Sequence, residues 1–147
     1  LILMGDPSQS GKADSGQIPS ATVKRLREQG VDSKIDLFLS MSNKPNLSKI
    51  GKKLQANPKG FMTQVVQNID QVKNLAENLK GYLIIPIILF PSQKNEKSAK
   101  FLNMDLAEYS QNFDKFVKDV HEITGDVLLT SPNDFTGLNE FLEKPIN

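Results

Sequence analysis

The chain predicts an α/β fold on three observations. Five short apolar runs recur between turn residues, hydrophobicity within them is continuous, and the intervals carry helical apolar stripes. The runs are Leu1 to Gly5, Ile35 to Met41, Gly60 to Val66, Leu83 to Leu89 and Val127 to Thr130, all expected as strands. Continuous hydrophobicity, clearest in Leu83-Ile84-Ile85-Pro86-Ile87-Ile88-Leu89, is what strands covered on both faces need, and it favours parallel pairing. Pro86 has no N–H to give a ladder, so a strand end or a bulge is expected there.

Val66, Ile69, Val72, Leu75 and Leu79 form one helical stripe, and Leu106, Tyr109, Phe113, Phe116, Val117, Val120 and Ile123 form a longer one. Gly81 and Gly125 stand where each helix would stop, because a helix C-terminus favours a residue tolerant of positive φ. A shorter helix over Ser20 to Gln29 ends at Gly30. Ser131-Pro132-Asn133-Asp134 offers an N-cap, a first-turn proline and an acidic third position ahead of a last helix. Strand followed by helix, repeated along the chain, implies right-handed crossovers and leaves two architectures, an open doubly wound sheet and a barrel or part of one.

At 147 residues the chain is expected to be a single domain, 1–147. Lys and Arg number 18 against 17 Asp and Glu, a net charge of +1 without like-charged blocks, so no nucleic-acid partner is expected. With no cysteine and only His121, thiolate metal sites, disulfides and a cysteine nucleophile are excluded, and a reducing, cytoplasmic compartment is compatible. No apolar run approaches the roughly 18 residues of a membrane helix, which predicts a soluble protein. The opening Leu1-Ile2-Leu3-Met4 has strand character and not that of a leader, so the natural chain is expected to start upstream.

Gly5-Asp6-Pro7-Ser8-Gln9-Ser10-Gly11-Lys12-Ala13 invites comparison with a phosphate-binding P-loop. The glycines are one residue too far apart, Ala13 stands where a magnesium-binding hydroxyl belongs, and Pro7 removes an amide from the cradle. Nucleotide hydrolysis is therefore not expected. His121 lacks a nucleophile-elbow partner, and Asp32, Asp36 and Asp126 fall at strand starts, the end of a barrel that serves stability. Asp105, Glu108, Asp114, Asp119 and Glu122, interleaved with Lys115 and Lys118, read as the solvated face of one helix.

A different set of motifs resembles the methylenetetrahydrofolate reductase family. The first run ends in Gly5-Asp6-Pro7, similar to that family's strand four. Ile50-Gly51-Lys52-Lys53-Leu54-Gln55-Ala56 leading into Gly60-Phe61-Met62-Thr63-Gln64 resembles its lysine-rich helix and the strand ending Thr-Gln. Ile84 to Ser92 resembles its Ile-Pro-Gly-Ile-Leu-Pro strand seven, Asn95 to Met104 its next helix, and Gly125 to Thr130 its strand eight. The resemblance implies a (β/α)8 TIM barrel of which this chain supplies strands four to eight. It also implies FAD as cofactor and hydride transfer from NAD(P)H to methylenetetrahydrofolate.

On that resemblance Asp6 approaches both flavin and folate, its carboxylate favouring the electrophilic form of the substrate, and Gly5 and Asp6 border the cofactor. Gln64 hydrogen-bonds the pterin through an amide that both donates and accepts. Lys52 and Lys53, read as following a helix start at Pro45-Asn46, meet the flavin phosphates. The family's general-acid Glu and first three strands would precede Leu1. Three positions depart from the pattern. Met4 replaces an Arg, Lys94 and Asn95 stand where an aromatic packs on folate, and Asn133 lies near an Arg that holds the substrate's glutamate tail. Those departures keep a second expectation open, a non-catalytic or flavin-free relative acting as a folate-binding or assembly subunit, either as a homo-oligomer or with a partner.

Overall fold

The computed structural model describes residues 1–4, 18–46, 48 and 50–144. Strands β1 (Ile2–Leu3), β2 (Phe38–Met41), β3 (Gly60–Val65), β4 (Leu83–Leu89) and β5 (Leu128–Thr130) form one five-stranded sheet in the order β1-β2-β3-β4-β5. Every neighbouring pair is parallel. The helices between and after them are α1 (Pro19–Glu28), α2 (Gly51–Gln55), α3 (Ile69–Asn78), α4 (Glu96–Phe101), α5 (Leu106–Gln111), α6 (Phe113–Thr124) and α7 (Phe135–Leu142). A doubly wound sheet reverses its strand order at a switch point. No reversal occurs among the described strands, and the order is compatible with a partial βα barrel.

One face of the sheet carries the core. Leu39, Met41, Phe61, Ile84 and Ile88 are buried against Val23 of α1, Val72 and Leu75 of α3, and Phe113, Val117 and Val120 of α6. Each such side chain removed from water contributes roughly 1.5–3 kcal/mol. The alternate residues are different. Phe38, Met62, Ile85 and Ile87 are only half-buried, and Ile2, Leu83 and Leu128 are 39%, 44% and 41% exposed. Strands covered on both faces were expected, yet among the described strand residues Leu89, at the end of β4, is the only apolar side chain of the second face that is fully buried. The continuous hydrophobicity of β4 therefore exceeds what this sheet buries.

β4 does not end at Pro86. Pairing with β5 begins at Ile87↔Leu128, so the missing N–H falls before the first rung on that side. The irregularity lies in the partner strand, where β3 places Thr63 and Gln64 opposite Pro86 alone, between Met62↔Ile85 and Val65↔Ile87. This is a β-bulge. At the start of β3, Gly60 is required by close approach, because a Cβ there would lie 2.4 Å from the Leu83 carbonyl oxygen and 2.8 Å from the Phe38 ring.

Three helix boundaries differ from the sequence reading. The long stripe from Leu106 to Ile123 is two helices, since Asn112 (φ −126°, ψ 28°) leaves the helical well and serves as C-cap of α5 and flanking residue of α6. One non-helical residue leaves the apolar spacing intact, and Tyr109 and Phe113 still meet across the break with ring centroids 5.8 Å apart. The last helix is capped by Asp134, which accepts the Gly137 N–H, while the Ser131 hydroxyl donates to the Asp134 carbonyl. No helix starts at Pro45-Asn46. Asn46 instead accepts two bonds from Ser48 in a turn, and α2 begins at Gly51. The stops at Gly30, Gly81 and Gly125 hold, with φ of 72°, 89° and 79°.

Candidate functional site

Parallel βα units gather their chemistry at the C-terminal ends of strands, where loops leave for the helices. Of the residues expected to act there, Gly5 and Asp6 lie outside the described residues, as does the whole P-loop-like stretch, 5–13. Met4, exposed, is the last residue described before them.

Lys53 is half-buried on α2 and donates from Nζ to the Ser40 carbonyl near the end of β2. The Phe38 N–H bonds to Leu1, so the backbone groups of Ser40, two residues on, aim the same way, toward the β1 side. The ammonium thus sits at the end of β2 from which, on the neighbouring strand, the chain runs on through Met4 to Gly5. Burial pushes its pKa below the ordinary lysine value. Its one hydrogen bond goes to a neutral carbonyl, and neither Lys53 nor the exposed Lys52 has a carboxylate partner among the described residues.

Gln64 is exposed on the β3 bulge. Ser40 pairs with Met62, two residues before Gln64, so Lys53 and Gln64 occupy the same end of adjacent strands. The Asn43 amide donates to the Val65 carbonyl at 2.7 Å, tying the loop after β2 to the end of β3. Lys52 does not join this pair and stands in solvent on α2.

A second polar cluster, not anticipated as a unit, lies at the ends of β4 and β5. Asn95 is fully buried and both ends of its amide are bonded: Nδ2 donates to the Phe90 carbonyl and the Ser131 hydroxyl, and Oδ1 accepts the Asn133 N–H. Lys94 donates to Asp134 at 2.9 Å. That ammonium holds the Asp134 carboxyl below the usual carboxylate range, with help from the Ser92 hydroxyl and the Gly137 N–H against the opposing effect of burial. Ser92 Oγ is itself buried beside Asp134, without a hydrogen bond of full geometry. The signal was in the sequence, where Ser131-Pro132-Asn133-Asp134 read as a helix start. Its link to residues 92–95 depends on the strand pairing.

No protein-family model and no curated protein matches the chain. The chemistry rests on its own residues. Among the described residues no cluster of His, Cys, Asp and Glu is arranged to hold a metal, and no helix is long and apolar enough to cross a membrane. Among the described residues one half-buried ammonium, that of Lys53, and one exposed amide, that of Gln64, stand at adjacent strand ends, a cation and a group that both donates and accepts.

Proposed function

We propose that the chain is part of a (β/α)8 barrel of the methylenetetrahydrofolate reductase type, its five strands corresponding to strands four to eight. The reaction is reduction of methylenetetrahydrofolate with NAD(P)H. The observation that carries this reading is the pairing of an uncompensated, half-buried Lys53 with an exposed Gln64 on adjacent strand ends of a sequentially ordered parallel sheet. FAD, when bound, supplies the hydride relay. Lys53 would offset charge on the diphosphate, and the Gln64 amide would pair with the pterin edge. Asp6 supplies the carboxylate next to the reacting centre, as the Gly5-Asp6-Pro7 resemblance implies.

A second reading is favoured by a specific observation. Asn95, where the resemblance implies an aromatic packed on folate, is fully buried and makes three hydrogen bonds inside the protein. A flavin-free folate-binding or assembly subunit would tolerate that. Methylenetetrahydrofolate-dependent oxidation of NADH or NADPH by the purified protein supplemented with FAD separates the two. Turnover is expected on the first reading. Folate binding without turnover would select the second, and neither binding nor turnover would remove both.

A further inference from the structure

The β3 bulge shows how Gln64 is presented. In an unbroken ladder Gln64 would pair with Ile87 and Val65 would turn toward the helices. The extra residue shifts the register, so that Val65 pairs with Ile87, Val66 enters the core fully buried, and Gln64 is left exposed. Thr63 is buried at 2% exposure, and its hydroxyl is used twice within the bulge. Oγ1 accepts the Ile87 N–H at 3.1 Å and donates to the Gln64 carbonyl at 2.6 Å. From the other side, Asn43 holds the Val65 carbonyl. The backbone stem of Gln64 is thus clamped from β4 and from the loop after β2, while its exposed amide makes no hydrogen bond among the described residues.

We infer that Thr63 is a positioning residue for Gln64, fixing the backbone from which its primary amide reaches a planar heterocycle whose edge carries a donor next to an acceptor. The inference rests on the proposed pterin-facing role of Gln64 and adds the device that makes it selective. A side chain held within about 0.5 Å of its working geometry depends on such a supporting shell. Threonine is suited to this place because its methyl fills buried space while its hydroxyl bridges two backbone groups. Serine keeps the bridge, and valine keeps the volume without it.

The test compares Thr63→Val, Thr63→Ser, Gln64→Ala and the Thr63→Val/Gln64→Ala double variant of the intact protein, with 5-methyltetrahydrofolate as probe. Binding is followed by calorimetry, and the Gln64 side-chain amide and Ile87 amide exchange by NMR. Thr63→Val is expected to weaken binding about tenfold, Thr63→Ser less than about twofold, and the double variant to bind no worse than Gln64→Ala alone, because contacting residues are not additive. Additive losses, or wild-type affinity in Thr63→Val, would overturn the inference. If the wild-type protein does not bind the probe, the reductase reading fails and the NMR arm decides the rest. Gln64 amide signals displaced in Thr63→Val but not in Thr63→Ser support the clamp, and undisplaced signals in both refute it.

Discussion

The two strand-end clusters use similar residue types for opposite ends. At β4 and β5, Lys94 meets Asp134, and Asn95 satisfies all its neighbours from a fully buried position. At β2 and β3, Lys53 meets only a carbonyl among the described residues, and Gln64 is exposed. A buried polar network closed on itself specifies structure. Charges and amides left without partners at a strand end keep their interaction energy for something that arrives later. The contrast teaches that counting polar residues at the strand ends is less informative than asking which of them are already satisfied.

If that contrast is right, perturbing the two clusters must produce different losses. The largest effect is expected from Asn95→Leu, which removes three hydrogen bonds of a fully buried amide, to Phe90, Ser131 and Asn133, and should cost about 3 kcal/mol in denaturant unfolding. A loss under about 1 kcal/mol would mean the cluster is not the structural one.

Lys53→Met and Gln64→Ala should do the reverse, lowering affinity for a flavin or folate probe about tenfold, equivalent to about 1.4 kcal/mol, with little change in stability. Losing the half-buried charge of Lys53 also removes a desolvation cost, so unfolding of Lys53→Met should be no easier than wild type. Marked destabilisation with unchanged binding would invert the assignment.

The smallest effect is pH-dependent. Asp134 titrates below the ordinary carboxylate range in the folded protein, chiefly because of Lys94. Its contribution is therefore fully present above the unfolded carboxylate pKa and is lost as pH falls through the lower folded value. Lys94→Met should be slightly less stable than wild type at neutral pH, with the gap closing in acid. Parallel acid-denaturation curves would show that the ion pair contributes nothing, as many exposed pairs do.

How much of this was legible in the sequence follows from the range of each signal. The continuous run Leu83 to Leu89 and the glycines at 30, 81 and 125 gave the strands and stops, because burial period and positive φ are local properties. The break at Asn112 was invisible to a periodicity that survives one non-helical residue. Pro86 signalled an irregularity but could not say that β3 would carry it. Thr63 and Asn95 had no sequence signal of their own, since each acquires its role from a strand or loop more than twenty residues away.

The central claim is that the Lys53 end of the sheet is an anion-ready cofactor site and the Lys94 end is not. Titrating wild type, Lys53→Met and Lys94→Met with FAD, followed by flavin fluorescence, tests it directly. Saturable binding by wild type and Lys94→Met, weakened about tenfold in Lys53→Met, is the predicted result. Equal affinity in all three, or no binding by any, would contradict it.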